Sequence, residues 1–293
     1  MNSTIVPLMQ CITCGRPLRI ERADGVRPSG DIAEGAVACD AGHTWPIEAG
    51  VLAFSREDAL SDSWTRSYPT YESYAEPRAR EVEEARDEVA PILDRMPDAS
   101  SDPVLELCTG HGGLLFNLLS QLPEDTQIVA VDMSLTIQMH NRRYMLEQYG
   151  DRDVSFIACD ATTLPFQDGV IPYAVAYGMG NMLHQFPQGV RETARVVAEG
   201  GTFLFTHQYV EEDSEGWSKV VGLMDKLGAD DFHALGIEEA FLELMRDTSF
   251  GSCEVEVTDE IVGDPDRDLD AGIFPYPNEK LWELVVTAVK PAS

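Results

Sequence analysis

Lysine is nearly missing from this chain, which carries Lys219, Lys226, Lys280 and Lys290 among 293 residues. Arginine brings the basic total only to 21 against 51 acidic residues, for a net charge of -30. Nucleic-acid affinity rests chiefly on Lys and Arg neutralising phosphates, so a bare nucleic-acid backbone is repelled at ordinary salt and an RNA partner is disfavoured. The same Lys-poor, acid-rich surface suits concentrated salt, where the Debye length shrinks to about 3 Å at 1 M and global charge says little about partners. Long apolar runs are missing too. No stretch reaches the roughly 18 apolar residues that a membrane span needs. The start, MNSTIVPLMQC, has neither the basic region nor the apolar core of a secretory signal, so a cytoplasmic location is expected. Cysteine is sparse, with six in the chain. Their uneven placement excludes a secreted disulfide framework: Cys11, Cys14 and Cys39 suggest a metal site, and Cys108, Cys159 and Cys253 read as buried thiols.

What is present starts with 44% hydrophobic composition, ample for a sizeable core. Residues 11–54 run from CITCGRPL to CDAGHTWPIEAGVLAF, giving Cys11-x2-Cys14 and Cys39-x3-His43 around a Gly-, Asp- and Arg-rich connector. Three thiolates and an imidazole in two knuckles are what a tetrahedral structural zinc needs. Leu18, Ile20, Val37, Trp45 and Ile47 would supply the short strands of a ribbon. The pattern CxxCxxxL followed by CxxxHxWPIxxGVLxF resembles the N-terminal zinc ribbon of the bacterial large-subunit rRNA guanine-N1 methyltransferases. It is also similar to small zinc-ribbon proteins that partner methyltransferases. The loop between the knuckles is longer here, so the resemblance implies architecture rather than substrate.

Between residues 55 and 101 the chain is charged and dotted with aromatics. Val82, Ala85, Val89 and Ile92 recur at helical spacing, predicting an amphipathic helix that breaks near Pro91 and ends before PDASSDP. Trp64, Tyr68, Tyr71 and Tyr74 form either a cover over a ligand or a hydrophobic seam between ribbon and core. From residue 102 onward apolar strands alternate with helices: VLELC, GGLLFNLLSQL, QIVAVDM, SLTIQMHNRRYMLEQY, VSFIACD, IPYAVAYGM, QGVRETARVVAEGG and TFLFTHQY. That order predicts an α/β fold with a doubly wound, mostly parallel sheet. A helical insertion follows at about residues 210–250, and CEVEVTDEIV and KLWELVVTAVK read as an antiparallel pair at the edge.

The chain is organised around VLELCTGHGG, Val104 to Gly113, which reads as a buried strand, a tight turn and a helix start. Helix starts present unpaired N–H groups, and glycine lets a ligand approach the backbone closely. Taken alone, Cys108-x-Gly110-x-x-Gly113 is a degenerate dinucleotide fingerprint that leaves NAD open. The wider set is Glu106 before the turn, Asp132 in AVDMS, Asp160 in CDATTLPF, and ETARVVAEGG. Together these resemble the class I, Rossmann-like S-adenosylmethionine-dependent methyltransferases, with their ExGxGxG, acidic residue after the second strand, DAxxLPF and ExxRVxxxGG. The resemblance implies a seven-stranded sheet and S-adenosylmethionine as cofactor. It divides the chain into a zinc ribbon at 1–54, a helical linker or lid at 55–101 and the methyltransferase domain at 102–293.

Cofactor contacts are then expected from Glu106 at the positively charged methionine end, from Cys108, Gly110 and Gly112 in the turn, and from Asp132 and its neighbour Met133 at the ribose. Asp160 and Ala161 are expected at the adenine, and Tyr177 beside the bound cofactor. Asp at strand ends also caps helices and shapes turns, the competing reading for Asp132 and Asp160. Cys108 stands where the family has glycine. Acceptor contacts are implied after the fourth strand, in YGMGNMLHQF, so Tyr177, Gly178, Asn181 and His184 are candidates. His207, His111, Gln208 and Tyr209 are candidates for the rim, and His184, Tyr177 and His207 for catalysis. Methyl transfer chiefly needs an aligned nucleophile and, for hydroxyl acceptors, a proton acceptor. Arg142 and Arg143 read as solvated charges, and Arg195 as structural. Trp217, Leu223, Met224, Phe232, Phe241 and Leu244 either cover a compact acceptor pocket or pack the core. The expected activity is methyl transfer to a small molecule. An RNA base methyltransferase and a non-catalytic cofactor-binding module are the alternatives, and the sequence carries no signal for oligomeric state.

Overall fold

The computed structural model describes residues 1–27, 30–55, 66–96, 102–179, 185–219, 221, 236–265 and 275–292. Central strands β5 (Val104–Leu107), β6 (Ile128–Asp132) and β7 (Val154–Ala158) are buried at every position, and β8 (Ile171–Ala176) at four of six. Such continuously buried, mostly apolar strands belong inside a parallel sheet covered on both faces. Parallel pairing runs β7-β6-β5-β8-β9, where β9 is Val197–Val210. The final strand β11 (Lys280–Val289) inserts antiparallel between β9 and β10 (Ser252–Val262). The two last apolar runs therefore pair as expected, but the later one lies inside the sheet and the earlier one forms its edge.

The ribbon is not a separate body. Its strands β1 (Arg19–Asp24), β2 (Glu34–Ala38), β3 (Thr44–Glu48) and β4 (Val51–Ala53) form an antiparallel meander. β4 then pairs parallel with β7, Val51 opposite Phe156 and Ala53 opposite Ala158. The seven strands β5 to β11 thus sit in one sheet of eleven, ordered β1-β2-β3-β4-β7-β6-β5-β8-β9-β11-β10. Burying Val51 and Leu52 at this seam is worth about 1.5–3 kcal/mol each, which explains why an apolar GVLAF closes the ribbon.

Among the described residues the longer helices are α1 (Tyr71–Leu93), α2 (Gly113–Gln121), α3 (Leu135–Gln148), α4 (Phe186–Val196) and α5 (Glu238–Arg246). Helix α1 starts on a capping box in which Thr70 Oγ1 accepts from Ser73 N at 3.2 Å while Ser73 Oγ accepts from Thr70 N at 3.2 Å. It continues through Pro91 to Leu93 instead of breaking there. Pro91 lies in the last turn, where one lost N–H bond costs little continuity. Val82, Ala85, Val89 and Ile92 are buried as their spacing predicts. Asn117 on α2 ties the two helices together, donating from Nδ2 to Val82 O at 3.0 Å and to Gly113 O at 2.8 Å.

Arg142 corrects the sequence reading. It is buried, paired with Asp31 of the ribbon, and packed so closely under Gly50 that a Cβ there would sit 2.1 Å from Nε. Arg143 is exposed as expected, pairing with Glu147 at 3.0 Å. Arg195 is structural, bonded to Asp168 and Glu192 and to the carbonyls of Leu164 and Phe166. Among the described residues of the insertion, Trp217, Phe241 and Leu244 pack into the core, while Leu223, Met224 and Phe232 lie outside the described residues.

Candidate cofactor site and metal centre

The glycine turn joins β5 to α2 at the carboxyl end of the central strand. Cys108 adopts a left-handed conformation, φ 56°, and Gly112 caps α2 at φ 88°. A Cβ on Gly112 would fall 2.3 Å from the Phe116 ring, so this position requires glycine both for its conformation and for space. Thr109 N donates to Val131 O at 3.1 Å, binding the turn to the neighbouring strand.

Three carboxylates stand at the ends of adjacent strands. Glu106 is 1% exposed and accepts the Thr109 hydroxyl. Burial pushes its carboxyl up to about 8; the Thr109 bond pulls it back and the Asp132 charge adds to the rise. Asp132 ends β6 and accepts Gly110 N at 2.8 Å on Oδ2 and Ser134 N at 2.9 Å on Oδ1. Burial raises its pKa while these backbone N–H groups lower it. Each oxygen keeps a second lone pair, which suits two hydroxyl donors side by side. Met133 is half-buried, and its carbonyl accepts Ser55 Oγ at 2.8 Å. Asp160 shapes the next turn, accepting both Thr162 N and Thr162 Oγ1 at 2.8 Å on Oδ1, with Ala161 buried beside it. The turn-forming reading of Asp160 therefore holds through Oδ1. The Cys108 thiol is held well above its ordinary pKa by burial and by Asp132, Glu106 and Asp160 beside it, which favours its neutral form.

Helix α1 covers this turn. Tyr74 OH donates to His111 O at 3.2 Å and meets Asn141 Oδ1, and Asn141 Nδ2 donates to Gly110 O at 2.9 Å. A Cβ on Gly113 would lie 3.4 Å from Ala85 Cβ and 4.0 Å from the Tyr177 ring. Tyr177, half-buried after β8, donates its hydroxyl to Glu88 of α1. Gly178 N donates to Thr206 Oγ1 at 2.9 Å, holding that loop against β9. The sequence placed Tyr68, Tyr71 and Tyr74 on a cover or a seam. They form a cluster at the start of α1 with His140, and Trp64 lies outside the described residues. Asn181 and His184 also lie outside the described residues. His207 is 4% exposed, stacked between Phe186 at 5.1 Å and Phe241 at 4.4 Å. Such a histidine is in aromatic packing rather than at an open rim, and Tyr209 is buried beside it.

At the other end of the sheet, the ligand atoms of Cys11, Cys14, Cys39 and His43 all lie within 4.8 Å of one another. Cys14 Sγ and Cys39 Sγ are 3.8 Å apart, and His43 Nδ1 is 3.4 Å from Cys11 Sγ and 3.5 Å from Cys39 Sγ. Zinc bonds of about 2.3 Å to sulfur and about 2.0 Å to nitrogen put tetrahedral edges near about 3.8 Å and about 3.5 Å. The four donors fit that ion.

The sequence profile of the ubiE/COQ5 methyltransferase family matches residues 87–233, which is 147 of the 293. The chain belongs to the ubiE/COQ5 methyltransferase family. Within it, a demethylmenaquinone methyltransferase of Porphyromonas gingivalis is 28% identical over 34% of this chain and 41% of its own length. A 2-phytyl-1,4-naphtoquinone methyltransferase of Nostoc is 25% identical over 50% of this chain and 77% of its own. The chain thus spans less than half of the first relative and about three quarters of the second. Among solved structures, phosphoethanolamine N-methyltransferase 2 of Haemonchus contortus, in complex with phosphomonomethylethanolamine and S-adenosylhomocysteine, superposes with a TM-score of 0.58. It does so at 17% identity, over 85% of this chain and 63% of that one. At that identity the likeness shows the fold, a Rossmann-like methyltransferase α/β sheet. The family match stops short of the ribbon, whose metal site rests on its own geometry.

Proposed function

We propose that this chain is an S-adenosylmethionine-dependent methyltransferase acting on a small aromatic acceptor of the quinone type, and that its ribbon holds one structural zinc. The observation that carries the first reading is the meeting of the Gly110–Gly113 turn with Glu106, Asp132 and Asp160 at the ends of β5, β6 and β7. The names of the two curated relatives support the acceptor class.

When bound, the cofactor supplies a methyl group already activated on a sulfonium. The chain's own residues have to bind, orient and exclude water. Asp132 offers paired acceptors for the ribose hydroxyls, with Met133 alongside. Asp160 and Ala161 take the adenine edge, and Glu106 faces the cationic amino-acid end. Gly110, Gly112 and Cys108 form the floor. Tyr177 closes the site from the far side, and its hydrogen bond to Glu88 gives an acceptor hydroxyl a proton path to a carboxylate that burial raises above its usual pKa. His184 and His207 are retained as candidates on the acceptor side, His207 through its aromatic stack rather than as a base.

Cys11, Cys14, Cys39 and His43 would fill all four zinc positions, a closed set that braces without catalysing. Calorimetry with S-adenosylhomocysteine, followed by methyl-donor consumption over a panel of hydroquinones, tests the activity. Saturable binding and turnover on at least one ring acceptor are expected; no binding at millimolar ligand overturns the reading. Metal analysis should find about one zinc per chain, and a value well below that removes the zinc.

A further inference from the structure

Helix α1 carries a charge where its apolar stripe should continue. Tyr74, Val82, Ala85, Val89 and Ile92 line its buried face, and Arg78 falls on the same stripe with 0% of its side chain exposed. A guanidinium has five N–H donors and is rarely buried without partners for them. Here Nη2 reaches Tyr74 O at a long 3.4 Å, Nη1 faces Glu81 Oε2 at 2.8 Å without hydrogen-bond geometry, and Nε makes no hydrogen bond. The group is held in place by rings instead, 4.4 Å from the centroid of Tyr74 and 5.4 Å from that of Tyr68. Arg142 and Arg143, the nearest arginines on α3, are committed to Asp31 and Glu147.

Its neighbour is the glycine turn. The Tyr74 ring beneath the guanidinium ends in a hydroxyl that donates to His111 O, and through Asn141 reaches Gly110 O. The His111 imidazole is held below its ordinary pKa first by burial and then by the Arg78 charge.

The cofactor of the reading above has a carboxylate at its amino-acid end. The Asp132 carboxylate would repel that anion, in a chain whose net charge is -30. A planar, always-charged guanidinium whose Nε makes no hydrogen bond is the chemical complement of a carboxylate. We propose that Arg78, projecting from the lid helix over the glycine turn, binds the carboxylate of the methionine moiety of S-adenosylmethionine. This rests on the cofactor assignment and adds a residue outside the glycine turn and the strand ends.

The test compares two ligands that differ only in that group, S-adenosylmethionine and decarboxylated S-adenosylmethionine, by calorimetry on the full chain. The wild type should prefer the carboxylate-bearing ligand by about tenfold or more, as charge-assisted bonds imply. Arg78→Met should erase the preference by weakening S-adenosylmethionine while leaving the decarboxylated ligand within about threefold. Equal weakening of both ligands, or an intact preference, would show that Arg78 only packs with Glu81 and the tyrosines, and overturns the proposal. If Arg78→Met melts early, Arg78→Lys carries the test, keeping the charge and losing the fork: a reduced preference supports the role and an unchanged one overturns it. A wild type that binds both ligands equally overturns this inference and leaves the cofactor reading standing. One that binds neither overturns that reading as well.

Discussion

At the ribbon, four side chains converge from two knuckles to within 4.8 Å and leave no position open. At the glycine turn backbone groups are flanked by carboxylates from three separate strands, and a helix from elsewhere in the chain packs over them. The first arrangement is complete within some thirty residues of sequence and suits an ion that stays. The second is assembled across the whole sheet and suits a ligand that must come and go. The two are joined, since β4 pairs with β7 and Ser55 Oγ donates to Met133 O next to Asp132. The knuckle that carries Cys39 and His43, between β2 and β3, thus belongs to the same sheet as the glycine turn.

Removing a metal ligand should have the largest effect and tests that coupling. Structural zinc contributes roughly 10–16 kcal/mol of apparent binding energy in small ribbon-like peptides, so Cys39→Ala should lose the metal and lower Tm by about 10 °C or more. Cofactor affinity should fall with it, through β4 and Ser55. Unchanged affinity after zinc loss, measured by calorimetry on a chain that remains folded, would uncouple the two regions that the sheet joins.

Asp132→Ala strikes the open site alone. Losing two acceptors for ribose hydroxyls, worth about 1.5–3 kcal/mol together, should weaken S-adenosylhomocysteine by about 10- to 100-fold. Zinc content should not move. An affinity within a factor of about two of wild type would return Asp132 to its structural bonds with Gly110 and Ser134 as its whole purpose.

Glu106 sharpens the contrast through pH. Its carboxyl is pushed up to about 8 by burial, against about 4.3 in an unfolded chain. Between those values the folded protein holds a proton that the unfolded chain has released. The stability from a neutral Glu106 is therefore complete below about pH 4.3 and is lost as pH rises through 8. Tm of the ligand-free wild type should fall more between pH 5 and pH 8.5 than that of Glu106→Gln, which has nothing to ionise. Parallel curves would mean the carboxyl is already charged in the fold.

The same contrast governs what could be read from the sequence. The cluster of Cys11, Cys14, Cys39 and His43 was legible because Cys-x2-Cys and Cys-x3-His bring all four donors together by local spacing. The alternating strands, and the Asp at the end of β6, were legible for the same reason. Arg78 was not picked out, although it occupies the position where the Val82, Ala85, Val89 stripe extends backwards to Tyr74. A charged residue at a core register was the available signal. The seam between β4 and β7 was unreadable because nothing in GVLAF distinguishes a ribbon's last strand from a sheet's first. Arg142 was misread as solvated because its partner, Asp31, lies 111 residues away, and periodicity on one helix carries no information about a distant loop.

Cys108→Gly should have the smallest effect and bears on why the open site departs from its family's glycine. A left-handed backbone costs an ordinary residue roughly 1–2 kcal/mol, and Cys108 sits there at φ 56°. Glycine removes that cost but adds about 0.5–1 kcal/mol of unfolded-chain entropy, and it gives up the packing of a half-buried thiol against the core. The terms nearly cancel, so Tm should rise by no more than about 4 °C. Cofactor affinity should be equal or tighter, because the change widens the turn without removing a hydrogen bond. A clear loss of affinity would mean that the thiol touches the ligand, and that the open site, like the closed one, also binds through a cysteine.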